Sequence, residues 1–240
     1  MKKQKVTSQG GLVNMENGDY PSLIFEQRMK LIKKSLYDHF DDIYDVFKKS
    51  TSLIFSFNES GYDDVVKKCA RLHVVNYEIE RKCIMFLSME QPLASDLVYV
   101  ESIIKVLSHL KRIVGLCNNI ADSSKEINSS IELIFEIEEI VNYTQLMLVN
   151  AFGAFKIQDL DIANELRDDD DKIDQLFDEI LEKISEILSE KTEYSMEFIN
   201  ILFIARFLER IADRCVNVGE RVIFINTLKN PSVEKIKKRI

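Results

Sequence analysis

His109-Leu-Lys-Arg-Ile-Val-Gly-Leu-Cys-Asn-Asn-Ile120 and Phe207-Leu-Glu-Arg-Ile-Ala-Asp-Arg-Cys-Val-Asn-Val218 are two copies of one pattern, 98 positions apart. Leu110, Ile113, Cys117 and Ile120 match Leu208, Ile211, Cys215 and Val218, at spacings of three and four. That is the helical period, so each copy is one apolar stripe of a helix. A second match lies upstream, where Asn76-Tyr-Glu-Ile-Glu80 parallels Asp170-Asp-Lys-Ile-Asp174 at an offset of 94. The difference between the offsets falls between the two helices of each half, where a hairpin absorbs it. Self-similarity on this scale marks a duplicated structural unit.

Working outward, the chain divides into six helical stretches. The first runs from Pro21 to Phe57, with Leu31, Ile32, Leu36, Phe40, Ile43, Val46 and Phe47 among its apolar positions. Asn58-Glu-Ser-Gly61 reads as a turn. The second helix carries Val65, Cys69, Leu72, Ile79, Cys83 and Phe86, and Gln91-Pro92 ends it, because the residue before proline is driven out of the α region. The third spans Leu93 to Ile120. The second half repeats the plan over 128–156, 159–190 and 193–228, and Asn230-Pro231 breaks the chain. Between Ser22 and Asn230 there is one proline, Pro92, and four glycines, Gly61, Gly115, Gly153 and Gly219. Sheet proteins of this length need far more turn residues. The expected fold is all-α, a duplicated three-helix bundle with the shallow crossings of up-down bundles. Its expected parts are a flexible leader over 1–20, bundles over 21–126 and 127–228, and a tail over 229–240.

Composition excludes several classes. Hydrophobic residues make up 46% and charged residues 30% of the 240, as in folded globular proteins. The net charge of −8 comes without a basic stripe, so nucleic acid is not an expected partner. The four cysteines, Cys69, Cys83, Cys117 and Cys215, are far apart and fall on apolar stripes. They read as buried reduced thiols, which suits the cytosol. No apolar run of signal-peptide length follows the MKKQK start. The uncharged stretch Ile140–Phe155 is too short and too polar to span a bilayer. A cytoplasmic protein that meets membranes only through partners is expected.

Candidate chemistry is carried by carboxylates. In the fifth helix the stripe Ile162, Leu166, Ile173, Phe177, Ile180, Ile184, Ile187 is interrupted by Asp169 and Asp170. Asp174 and Asp178 continue a row from Asp170 at steps of four. Carboxylates on a core-facing stripe are costly unless they are paired or bound to a cation. In the sixth helix Glu209 and Asp213 stand four apart, neighbours on one face, and repel unless something positive lies beside them. Arg206 and Arg210, each three residues earlier, would suffice as surface partners of little energetic weight. Two acidic clusters on two helices of one bundle equally suit a hard cation held by oxygen ligands. His39, His73 and His109 lack the Glu-x-x-His spacing of di-iron bundles, and no H-E-x-x-H, phosphate loop or G-x-S-x-G is present. No catalytic residues are assigned, and an enzyme is not expected.

The run Leu208-Glu-Arg-Ile-Ala-Asp-Arg-Cys-Val-Asn-Val-Gly-Glu220 resembles the signature of the PhoU family of phosphate-transport accessory proteins, approximately L-E-R-I-G-D-x-x-x-N-I-A-E. Gln91-Pro-Leu-Ala-Ser-Asp-Leu97 resembles the family's Q-P-V-A-x-D-L between the second and third helices. The resemblance covers 22–228 and implies a metal-binding, two-bundle cytoplasmic regulator. Such a protein restrains phosphate uptake and phosphate-starvation signalling, a negative regulation exerted by protein contact. The partners implied are the ATPase of the phosphate ABC transporter and a sensor histidine kinase, with the chain itself a homodimer. The family's E-x-x-x-D ligand motif falls on Glu209 and Asp213, and its acidic partner on Asp170 and Asp174. The cofactor implied is a hard divalent or trivalent ion: iron, manganese, magnesium or zinc.

The first half departs from the family. Lys111 and Gly115 stand where the family has Glu and Asp, and Asn76 stands for Asp. This half, with Glu80 its remaining acid, is not expected to bind metal. Lys111 is expected to replace the missing cation by pairing with Glu80. Two rival readings stay open: a helical scaffold whose acids are merely solvated, and a carboxylate-bridged metalloenzyme, which the missing histidines disfavour.

Overall fold

Asn58 shows how local chemistry sets the frame. Its side-chain oxygen accepts the Gly61 N–H at 2.7 Å, so Asn58 is an N-cap satisfying one of the donors that a helix start leaves unpaired. The stretch expected as a turn is thus the first turn of a helix. A computed structural model of the chain describes residues 19–90, 92–127, 133–190, 195–231 and 233–234. Its long helices are α1 (Asp19–Phe55), α2 (Glu59–Glu90), α3 (Ala94–Ser123), α4 (Ile134–Ile157), α5 (Leu160–Glu190) and α6 (Ser195–Thr227), with a 3-10 turn at Ser124–Glu126. The leader through residue 18, Gln91 and most of the tail lie outside the described residues. The fourth helix begins at Ile134, after Leu133 as a turn residue, and the expected start near residue 128 lies outside the described residues.

Helix ends follow sequence chemistry. The Asp159 carboxylate accepts the N–H groups of Asp161 at 2.9 Å and Ile162 at 3.0 Å, capping α5. Just before it, Gln158 takes a left-handed backbone (φ 58°) that ends α4.

The stripes bury as the period demands. Leu36, Phe40, Ile43, Val46 and Phe47 of α1 are fully buried, whereas Leu31 is 62% exposed and its neighbour Ile32 is buried. Adjacent residues are about 100° apart on a helix, so only one of such a pair faces the core. The four cysteines are free and buried.

α1, α2 and α3 pack as one three-helix bundle and α4, α5 and α6 as another, joined where α3 packs on α6 and α1 on α4. The join is held by aromatic, ionic and polar contacts. Phe40 stacks on Phe152 of α4 with ring centroids 4.4 Å apart and meets Phe155 edge-on at 5.9 Å. The Lys156 ammonium reaches Asp41 at 2.7 Å. On the other seam Arg221 donates to the Ser102 hydroxyl at 2.8 Å and pairs with Glu101. One continuous apolar core therefore runs through both halves. α5 and α6 approach so closely that a Cβ on Gly219 would lie 2.8 Å from Leu166 Cδ1 and 3.0 Å from the Ala163 carbonyl oxygen. Among the described residues no helix is long and apolar enough to cross a membrane.

Candidate functional site

The α5–α6 packing sets the acidic row of one helix beside the carboxylate pair of the other. Asp170 is held half-buried on α5 because its neighbours on the stripe, Leu166 and Ile173, are fully buried. Glu209 is held likewise on α6 by Leu208 and Ile211. The Asp170 carboxyl is pushed up to about 7, first by burial and then by the charges of Asp213, Asp174 and Glu209. Asp174, at the solvent side of the row, is also raised, by partial burial and by Asp213, Asp171 and Asp178. Burial raises Glu209 as well, with Asp213 and Asp174 adding to it and Arg206 opposing. The four residues Asp170, Asp174, Glu209 and Asp213 thus share one negative field.

The arginines answer part of that charge. Arg206 pairs with Glu209 at 2.9 Å, as its spacing allows. Arg210 does not pair with Asp213; the neighbouring Arg214 does so instead, at 3.6 Å. Glu220 is taken by Arg167 of α5 at 2.6 Å. Among the described residues Glu209 Oε2 is buried with no hydrogen-bond partner. A buried acceptor without a donor costs roughly 1–3 kcal/mol, more when it is charged. An unpartnered buried carboxylate oxygen beside three further acids fits a hard cation. As the side chains stand, no group of three or more His, Cys, Asp or Glu among the described residues is drawn together closely enough to hold one.

The first half is built differently. Asn76 is buried at the position matching Asp170, and His39 Nε2 of α1 donates to its side-chain oxygen at 3.2 Å. Burial holds His39 below its ordinary pKa, so the couple is neutral. The expected Lys111–Glu80 pair does not form among the described residues. Lys111 is exposed on α3, and its charge bears on His73 instead. With a neutral amide in place of the carboxylate, the half has no buried negative charge that Lys111 must balance. His39 carried a signal in the sequence, a polar ring between buried Leu36, Phe40 and Ile43; its partner on another helix did not.

A groove of about 470 Å³ opens between α3 and α6, lined by Arg112, Gly115, Leu116, Asn119, Arg206, Arg210, Asp213 and Arg214. Arg112 matches Arg210 in the repeat, and Gly115 matches Asp213. The two copies of the motif therefore meet here. The steps of four from Arg206 to Arg210 to Arg214 are visible in the sequence, but the fourth arginine comes from α3 and is not.

Fold and carboxylates together define a class: a duplicated three-helix bundle with an acidic set on the facing helices of its second half. The model of the PhoU domain matches residues 38–124 and again 137–222. The chain belongs to the PhoU family, whose members are accessory regulators of phosphate transport and not enzymes. It is 35% identical, over 88% of its own length and 98% of the relative's, to phosphate-specific transport system accessory protein PhoU homolog 1 of Methanothermobacter thermautotrophicus. Its fold matches the crystal structure of PhoU from Pseudomonas aeruginosa with a TM-score of 0.81 at 22% identity, covering 85% of this chain and 100% of that one. The phosphate transport system regulatory protein PhoU from Streptococcus pneumoniae superposes with a TM-score of 0.80 at 21% identity, covering 86% and 98%.

Proposed function

We propose that this regulator restrains phosphate uptake and phosphate-starvation signalling from the cytoplasmic side. It would do so by contact with the ATPase of a phosphate ABC transporter and with a sensor histidine kinase, holding a hard metal ion in its second bundle. The observation that carries the metal reading is the unpartnered Glu209 Oε2, buried beside Asp170, Asp174 and Asp213. When bound, a cation supplies positive charge that offsets the mutual repulsion of these carboxylates and ties α5 to α6. Asp170 and Asp174 would offer oxygens from α5, and Glu209 and Asp213 from α6. Iron, manganese, magnesium and zinc all accept carboxylate ligands. In the first half the His39–Asn76 hydrogen bond is neutral, which supports a single metal site in the chain.

Elemental analysis of purified protein tests the site. Wild type should retain metal that Glu209→Ala/Asp213→Ala has lost, and added manganese or iron should raise the melting temperature of wild type only. Equal metal content in both proteins would leave the solvated scaffold as the better reading. Affinity capture with the tagged chain from phosphate-replete cells tests the partners. Recovery of neither the transporter ATPase nor the kinase would remove them.

A further inference from the structure

We propose that the groove between α3 and α6 binds a small phosphate oxyanion, inorganic phosphate or pyrophosphate, through Arg112, Arg206, Arg210 and Arg214. Four guanidiniums and one carboxylate line it, in a chain whose net charge is −8. Such clustering of like charge is unfavourable by itself and is relieved by an anion of opposite sign. Two of the four are partly engaged, Arg206 by Glu209 and Arg214 by Asp213. Arg112 and Arg210, the repeat-related pair, form no ion pair among the described residues. They are available to a ligand from opposite helices. His109, on α3 one turn before Arg112, is held down to about 4, first by burial and then by Arg214, Arg112 and Arg221. The positive field therefore reaches into the seam itself.

The chemistry of the lining selects the ligand class. Guanidinium forks match the oxygens of phosphate in pairs, and several of them around one ligand favour a multiply charged anion over a carboxylate. No aromatic ring lines the groove to stack a base, and Leu116 is its one large apolar residue, which disfavours a nucleotide. The volume of about 470 Å³ takes one or two phosphate groups with water. Gly115 makes the groove basic. Its repeat mate Asp213 places a carboxylate on one side, and a second at position 115 would cut the excess of positive charge by a third. A Cβ at Gly115 would meet nothing within 4 Å, so a side chain there enters the groove without disturbing the packing.

The inference does not depend on the metal reading, and its test is run on chelator-treated protein. Titration calorimetry of the full chain with inorganic phosphate and, separately, pyrophosphate, at fixed ionic strength in chloride, should show saturable binding of at least one of them. Which one binds more tightly identifies the source of the phosphate. Gly115→Asp should weaken that binding about tenfold or more while keeping the helical signal of wild type and a melting temperature no lower. Gly115→Asn, of the same shape without the charge, should bind as wild type does. Arg112→Gln/Arg210→Gln should lose binding. Absence of saturable binding for both ligands, or equal affinity in Gly115→Asp and Gly115→Asn, overturns the proposal.

Discussion

Asp170 shows what a single side chain costs when a fold places it among its own kind. Its carboxyl is pushed up to about 7 from an ordinary 3.8, because burial and four neighbouring acids disfavour the charged form. With the folded value above the unfolded one, protonation favours the fold. The favourable contribution is complete below the ordinary value and is lost as pH rises through about 7. Metal-free protein should therefore melt at a lower temperature at mildly alkaline than at mildly acidic pH. Asp170→Asn should remove much of that dependence and stabilise the metal-free chain at alkaline pH by roughly 1–2 kcal/mol, a figure discounted for its partial exposure. Calorimetric melting of both proteins across the pH range, in chelator, is the measurement. A wild-type curve that is flat, or that rises with pH, would show that the acids do not feel one another.

At the scale of elements the decisive contact is α5 on α6. Gly219 lies against Leu166 and the Ala163 backbone with no room for a methyl group. Gly219→Ala should destabilise the chain by about 1–2 kcal/mol, since overpacking at roughly 1–3 kcal/mol outweighs the gain in helix propensity of up to about 1. A lower melting temperature by circular dichroism is expected, and a raised one would mean that the two helices are free to separate. The helices themselves were legible in the sequence, because apolar spacing along one strand of chain encodes them directly. The four acids were legible for the same reason: each interrupts or borders a stripe. What no local pattern carries is which side chain meets which across helices. Asn58 looked like a turn residue because capping and turning use the same chemistry. Lys111 and Glu80 are complementary in charge, yet the buried amide of this half, Asn76, is satisfied by His39 from a third helix. No local pattern encodes the groove, since half of it belongs to α3 and half to α6.

Across the whole molecule, the two bundles share one core through Phe40, Phe152 and Phe155 and through the α3–α6 seam. Neither half can unfold without exposing apolar surface of the other. Denaturant unfolding should be a single transition, coincident for the helical signal and for the near-ultraviolet signal of the tyrosines. Two separate transitions would mean that the seam contributes little. That seam has another consequence. In a dimer of identical subunits related by a two-fold axis, every substitution appears on both sides of the interface at once. Here the two sides are covalently joined and separately encoded, so Gly115 stands in one copy where Asp213 stands in the other, and Leu116 where Arg214 does. Two copies fused in one chain are free of mirrored inheritance, so position 115 can be glycine while its repeat mate 213 is aspartate.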